Sequence, residues 1–94
     1  MARNWDDVKN ALNKRDHGIS FETAWLIFDD PFALMTDDFI DDNRVMRYQT
    51  LGLIEGVLVV VAHVYRVIEG NEEPWLIMAR KAVKYEETHY FRRR

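Results

Sequence analysis

Apolar side chains recur at the spacing of a helical turn near the start of the chain, at Trp5, Val8, Ala11 and Leu12. Asp6 and Asp7 fall where the first turn would lie, and the helix dipole favours anions there. This pattern predicts a short amphipathic helix over residues 5–12.

A second helix is predicted after Gly18, which interrupts the first pattern. Ser20 is a good N-cap, and apolar residues follow at i, i+3, i+4 and i+7, namely Phe21, Ala24, Trp25 and Phe28. We expect this helix to end before Pro31, because proline cannot continue a helical hydrogen-bond ladder.

The period then changes to one typical of strands. Residues 48–53, 57–65 and 75–79 are rich in β-branched and aromatic residues, and turn residues separate them at Glu55-Gly56 and Glu69-Gly70-Asn71. Residues 57–62 are apolar without alternation, which is typical of a central strand covered on both faces. Residues 32–40 are ambiguous, and Pro74 fits only a strand start or an edge strand.

From residue 81 the chain is predicted to become helical again, with Ala82, Tyr85 and His89 or Tyr90 able to face the sheet. The fold class is therefore α+β, with two N-terminal helices, an antiparallel sheet of three to four strands and a C-terminal helix. The terminal residues Arg92-Arg93-Arg94 are predicted to form a solvated tail.

Size and composition set the broad class. The 94 residues, 48% of them hydrophobic, suit a single domain over 1–94 with one core. Cysteine is absent, which excludes disulfides and thiol chemistry. No secretory signal is readable, and the longest apolar run, residues 57–62, is too short to cross a bilayer, so we expect a cytoplasmic protein.

The formal charge of −3 argues against an indiscriminate binder of polyanions, but the charges are unevenly distributed. Six aspartates fall within residues 29–42, whereas most lysines and arginines lie outside that segment. The aspartate spacing fits no EF-hand loop, so we predict no metal site and favour a solvated loop or a surface for a basic partner.

His17 is the first candidate for chemistry, because an imidazole transfers protons near neutral pH. The alternative is that its ring caps or packs the turn before Gly18. Lys14 and Arg15 beside it could bind phosphate, although the helix dipole alone favours cations at a C-terminus.

Arg80 and Lys81 stand where the last strand meets the last helix, a position suited to phosphate binding. The alternative for Arg80 is an ion pair with a carboxylate such as Glu86. By strand alternation, His63 and Tyr65 point to one side and Arg66 to the other. His63 fits a core imidazole better than a catalyst.

The chain resembles the BrnT family of small bacterial ribonuclease toxins. The residues that carry the resemblance are, in order, Trp5-Asp6, Lys9-Asn10, His17-Gly18-Ile19-Ser20-Phe21, Phe28-Asp29-Asp30-Pro31, Arg47 with Gly52, Val59-Val60-Val61, and Arg80-Lys81-Ala82 with Glu86. Their order and separations cover nearly the whole chain.

The resemblance implies a RelE-like fold and an RNA-cleaving toxin of a type II toxin–antitoxin system that needs no metal or other cofactor. It also implies a toxin dimer within a heterotetramer with a BrnA-like antitoxin, which binds operator DNA. On this reading the catalytic residues are His17, Arg47, Arg66 and Arg80, and the RNA-binding residues are Lys14, Arg15, Tyr65 and Lys81. We expect His17 and Arg80 to converge on one cleft.

Three positions depart from the family pattern. Asp16 stands where the family commonly has lysine, no acidic residue directly precedes Arg47, and Trp75 begins a segment that usually begins with arginine. These departures leave a second hypothesis open, in which the chain is a toxin-fold binding module that acts with the antitoxin in repression.

Overall fold

The computed structural model describes residues 4–92, and positions 93 and 94 of the predicted tail lie outside that part. In chain order the helices are α1 (Asp7–His17), α2 (Phe21–Ala24) with a 3₁₀ turn (Trp25–Asp29), and α3 (Lys84–Arg92). The strands, all between the 3₁₀ turn and α3, are β1 (Leu34–Ile40), β2 (Met46–Ile54), β3 (Val57–Ile68) and β4 (Asn71–Lys81). The predicted α+β class is confirmed.

The boundaries of α1 follow from its caps. The Asp6 side chain accepts a hydrogen bond from Lys9 N (3.3 Å), and Gly18 ends the helix with a φ of 74°. The helix therefore continues to His17, beyond the predicted end at Leu12, because nothing before Gly18 interrupts it. Ser20 caps α2 as predicted.

The sheet is an antiparallel meander in the order β1-β2-β3-β4. Strand β3 is interior and largely buried, as its unbroken apolar run predicted, and Pro74 lies in an edge strand. The ambiguous segment is the edge strand β1. The last strand continues to Lys81, so the last helix begins at Lys84 rather than at residue 81.

The two faces of the sheet bury different clusters. Residues from α2 and the 3₁₀ turn, including Phe21 and Ile27, pack on Val59, Val61 and Ala79 on one side, which we call the α1 face. On the other side, the α3 face, Tyr90 packs on Leu51, Leu58 and Val60. Of the residues predicted to face the sheet from α3, Tyr90 is buried and Tyr85 and His89 are exposed; Glu86 is the other buried residue of this helix.

Asp30 connects α3 to the rest of the core. Its Oδ2 accepts hydrogen bonds from Leu53 N (2.9 Å) and the Tyr90 hydroxyl (2.6 Å). Gly52 makes room for this arrangement, since a Cβ there would lie 2.8 Å from Ile27 Cγ1 and 3.1 Å from Asp30 Oδ2. Among the described residues, no helix has the length and apolar character needed to cross a membrane.

Candidate functional site

A groove of about 1030 Å³ lies between α3 and the α3 face of the sheet. The sheet contributes Leu34, Thr36, Gln49 and Leu51 to its lining, and the helix contributes the basic residues Lys84, His89 and Arg92. Apolar and polar side chains form the floor, and the helix side carries Lys84 and Arg92 together with Glu86, which is paired with Arg80. This arrangement suits an anionic ligand that also carries flat or apolar groups.

Arg80 lies at one end of this groove and is held by α3. Its two terminal nitrogens each donate a hydrogen bond to a Glu86 carboxylate oxygen, at 2.9 Å in both cases. The hydrogen bonds from Arg80 lower the pKa of Glu86 against the opposing effect of its burial, and Val83 N donates to the same carboxylate. The ion pair with Glu86, which the sequence left open, is therefore present.

Arg47 and Arg66 share the α3 face with Arg80. In the strand register Arg80 lies opposite Val60, and Arg66 has the same parity as Val60 along β3. The Arg66 guanidinium stacks 4.2 Å from the centre of the Trp75 ring. Three arginines on neighbouring strands thus border one surface.

Arg47 has an incompletely satisfied guanidinium. It lies 5.3 Å from the centre of the Phe39 ring, and its Nε is 3.6 Å from Asp41 Oδ2, too far for a hydrogen bond. That Nε is buried and has no hydrogen-bond partner among the described residues. The Arg47 side chain as a whole is partly exposed, so a phosphate oxygen could be bound by its terminal nitrogens.

The basic residues of α3 that line the groove were not predicted from the sequence to belong to the site. Lys84, Thr88 and Arg92 are spaced four residues apart, and all three line the groove together with His89. That i, i+4, i+8 spacing is a signal the sequence carries. The structure shows which face of α3 carries these residues, because Tyr90 is buried against the sheet.

The residues predicted at the C-terminus of α1 lie in the layer on the other side of the sheet. Lys14, Arg15 and His17 are all exposed there. Arg15 donates to both carboxylate oxygens of Asp16, at 2.8 and 3.3 Å, so the residue that departs from the family pattern already occupies this guanidinium.

The structure does not bring His17 and Arg80 together. Helix α1 packs beside β4 through Asn13, whose side chain bonds the backbone of Ala79, whereas the Arg80 side chain points to Glu86 on the opposite face. Within residues 4–92 no hydrogen bond or ion pair joins His17 to Arg80, and the shared cleft stays a prediction. The roles of the individual residues stay predictions.

Tyr65 and Lys81 also have the parity of the α1 face, opposite to the three arginines. Tyr65 lies directly across from Pro74 and Lys81 from Val59. The Tyr65 hydroxyl contacts Met35 Sδ at 3.2 Å, and burial raises the pKa of this tyrosine. Both residues are thus apart from the groove.

His63 is a core imidazole, as expected. It is fully buried, its Nε2 lies 2.7 Å from Thr50 Oγ1, and its ring stacks on Tyr48. Burial disfavours the charged imidazolium and lowers the pKa of His63 to about 4. Its burial among these side chains makes His63 a packing residue.

Half of the aspartate-rich segment, residues 29–42, is the strand β1 and not a loop. Asp37 and Asp38 belong to β1, and Asp41 accepts hydrogen bonds from Asn43 N (2.9 Å) and Val45 N (3.0 Å) in the turn that follows. Within residues 4–92, no three His, Cys, Asp or Glu side chains are grouped as metal ligands.

An α+β domain with a groove beneath a helix and three arginines on the same face of the sheet is the kind of small protein that can bind a polyanion. The chain belongs to the BrnT family, described as the ribonuclease toxin of a type II toxin–antitoxin system, whose family model matches residues 5–86. An antitoxin partner is implied by that class. No curated protein matches the chain.

Proposed function

We propose that this chain is an endoribonuclease that binds RNA in the groove between α3 and the α3 face and cleaves it without a metal ion. The observation that carries the proposal is the placement of Arg47, Arg66 and Arg80 on one face of the sheet. Family membership supports ribonuclease activity in general. The groove is a large concave surface on the same face of the sheet as those arginines.

The chemistry is attack of an RNA 2′-hydroxyl on the adjacent phosphorus. The P–O5′ bond breaks, leaving a 2′,3′-cyclic phosphate and a 5′-hydroxyl, and a proton moves from the 2′-oxygen to the 5′-oxygen overall. Negative charge accumulates on the non-bridging oxygens as the new bond forms. Guanidinium groups that hold those oxygens stabilise the transition state, with losses of about 10²–10³ in rate when one such donor is removed.

Arg80 and Arg47 are the phosphate-binding residues in this proposal. Arg47 is partly exposed and lies 3.6 Å from Asp41 without a hydrogen bond to it, whereas Arg80 must exchange its Glu86 partner for a phosphate. His89 lines the groove and is the imidazole placed to move the proton. His17, the sequence-based candidate, lies in the other layer, so the two histidines are tested against each other.

Expression of the chain alone in bacteria, followed by assays of the purified protein on RNA with a metal chelator present, tests the proposal. We expect growth arrest and internal cleavage products that persist in the chelator. Arg47→Ala and Arg80→Ala should each lower cleavage by about 10²-fold. Lys9→Ala, which removes an exposed cation from α1, is the matched control.

The histidine pair is resolved by the same assay. His89→Ala is expected to lower the rate by about 10²-fold or more, while His17→Ala leaves it within a factor of two. Full growth at high levels of folded protein, or equal cleavage by Arg80→Ala and Lys9→Ala, would contradict a ribonuclease site on this face.

For the antitoxin, we propose a BrnA-like protein that neutralises the chain within a heterotetramer containing a toxin dimer and binds operator DNA. The alternative function, a toxin-fold binding module, is favoured by one observation: Glu86 and Asp16 already occupy the Arg80 and Arg15 guanidinium groups. Intact RNA together with tight antitoxin binding is the result expected of that module.

A further inference from the structure

The two edges of the sheet differ in how their backbone groups are satisfied. At the β4 edge, the Asn13 side chain accepts from Ala79 N (3.0 Å) and donates to Ala79 O (2.9 Å), as a neighbouring strand would. Leu76 N donates to Asn4 O (2.9 Å) on the same edge. The β4 edge is thus closed by the chain itself.

The β1 edge is open. Within residues 4–92, no backbone hydrogen bond from outside the sheet reaches residues 34–40. The N–H and C=O groups of β1 that point away from β2 are therefore available to another extended segment. An open edge strand is a template for β-strand addition by a partner.

Apolar side chains on and around this edge add a reason to expect a partner. Met35, Phe39 and Ile40 are 52%, 50% and 62% exposed, whereas β3 in the interior of the sheet is largely buried. An added strand would cover part of these three side chains. The same strand would lie beside Leu34 and Thr36, which line the groove.

The negative charge of the β1 edge indicates which kind of segment could pair with it. Asp37 and Asp38 are exposed on β1, Asp42 is exposed in the turn after it, and the only cation within residues 29–46 is Arg44. Antiparallel pairing of two copies about the middle of β1 would bring Asp37 and Asp38 against their own equivalents, and like charges in opposed strands repel. A basic segment meets no such repulsion.

We propose that the antitoxin adds an extended segment, with lysine or arginine alternating with apolar residues, to β1 as a fifth strand of the sheet. The proposal rests on the antitoxin part of the proposed function and not on the ribonuclease chemistry. The added strand extends the groove floor past β1, so its side chains on the α3 face stand at the mouth of the groove. Occupation of that mouth obstructs RNA.

Hydrogen exchange tests the proposal, with the protein encoded by the adjoining gene as the probe. We expect the amides of residues 34–40 that point away from β2 to exchange at least ten-fold more slowly in the complex than in the free chain. Unchanged exchange over residues 34–40, with protection confined to α3 or to α1, would overturn it. A free chain that dimerises and protects residues 34–40 by itself would also overturn it.

A charge reversal supplies the second measurement. Asp37→Lys is expected to weaken antitoxin binding by roughly ten-fold, more at low salt than at high salt. Glu69→Lys, the same charge change in the exposed turn between β3 and β4, is the control and should alter binding by less than two-fold. Equal effects of the two variants would overturn the proposal.

Binding and exchange are measured without reference to cleavage. A chain that leaves RNA intact but shows the expected protection loses the ribonuclease proposal and keeps the strand addition. A chain that cleaves RNA but shows no protection at β1 supports the ribonuclease proposal and contradicts the strand addition.

Discussion

Asn13→Ala removes the side chain that closes the β4 edge. Asn13 is a buried residue of α1, and its amide donates to Ile19 O (2.8 Å) and Ala79 O (2.9 Å) while its oxygen accepts from Ala79 N (3.0 Å). The substitution deletes three hydrogen bonds. It also leaves the backbone groups of Ala79 facing a methyl group.

The magnitude follows from these three bonds. A net contribution of about 1 kcal/mol for each gives about 3 kcal/mol, and a buried group left unpaired adds to that loss. Small domains have about 5–15 kcal/mol of stability in total, so the variant should lose a large fraction. At about 4–8 °C for each kcal/mol, the midpoint of thermal unfolding should fall by roughly 12–24 °C.

Urea and thermal unfolding followed by circular dichroism measure this change. Asn71→Ala, which truncates an exposed asparagine at the start of β4, is the control and should stay within about 0.5 kcal/mol of the parent chain. A loss below about 1 kcal/mol for Asn13→Ala would refute the reasoning, since it would mean that water satisfies the Ala79 backbone equally well.

Two further predictions concern titratable groups. The lowered pKa of Glu86 means that its bonds to Arg80 stabilise the fold above the unfolded pKa and that this contribution is lost as pH falls through the folded pKa. The stability deficit of Glu86→Gln in urea unfolding should therefore be present at pH 7 and shrink as the pH is lowered below 4.5, and a deficit that does not change with pH would contradict the ion pair. His63 has a pKa of about 4 in the folded chain, so the unfolded chain binds its proton more tightly. The free energy of unfolding should therefore decline between about pH 6.5 and 4 by up to about 3 kcal/mol, and by less in His63→Gln. Protonation of the ring near pH 6 in NMR spectra would disprove its burial as a neutral group.

Local signals predicted much of the fold. The cap at Ser20, the glycine at position 18 and the apolar run in β3 depend on neighbours in sequence, and the structure confirms the elements that they predicted. Strand β1 could not be read in this way, because its acidic residues lack a strand-like alternation and pairing with β2 stabilises it. The continuation of β4 to Lys81 was not predicted either, because pairing with Val59 of β3 extends that strand.

Local signals were weaker guides to the site. The sequence singled out Arg47, Arg66 and Arg80, but it also assigned His17 to the same cleft. The position of a helix is set by long-range contacts. Helix α1 lies along the β4 edge through the bonds of Asn13 to Ala79, whereas the Arg80 side chain bonds Glu86 of α3. The groove is lined by Lys84, His89 and Arg92 because Tyr90 packs α3 against the sheet, a contact that the sequence does not show.

The sequence by itself determined the fold class, the central strand and the cations available for phosphate binding, because these follow from residue type and short-range periodicity. The tertiary structure decided which of those cations share a surface. A β-bulge between Leu76 and Met78 shifts the register of β4 and places Trp75 beneath Arg66, where simple alternation from Ala79 would put it on the other face. Pairing across strands fixes such a register, and that pairing is not encoded in any single segment.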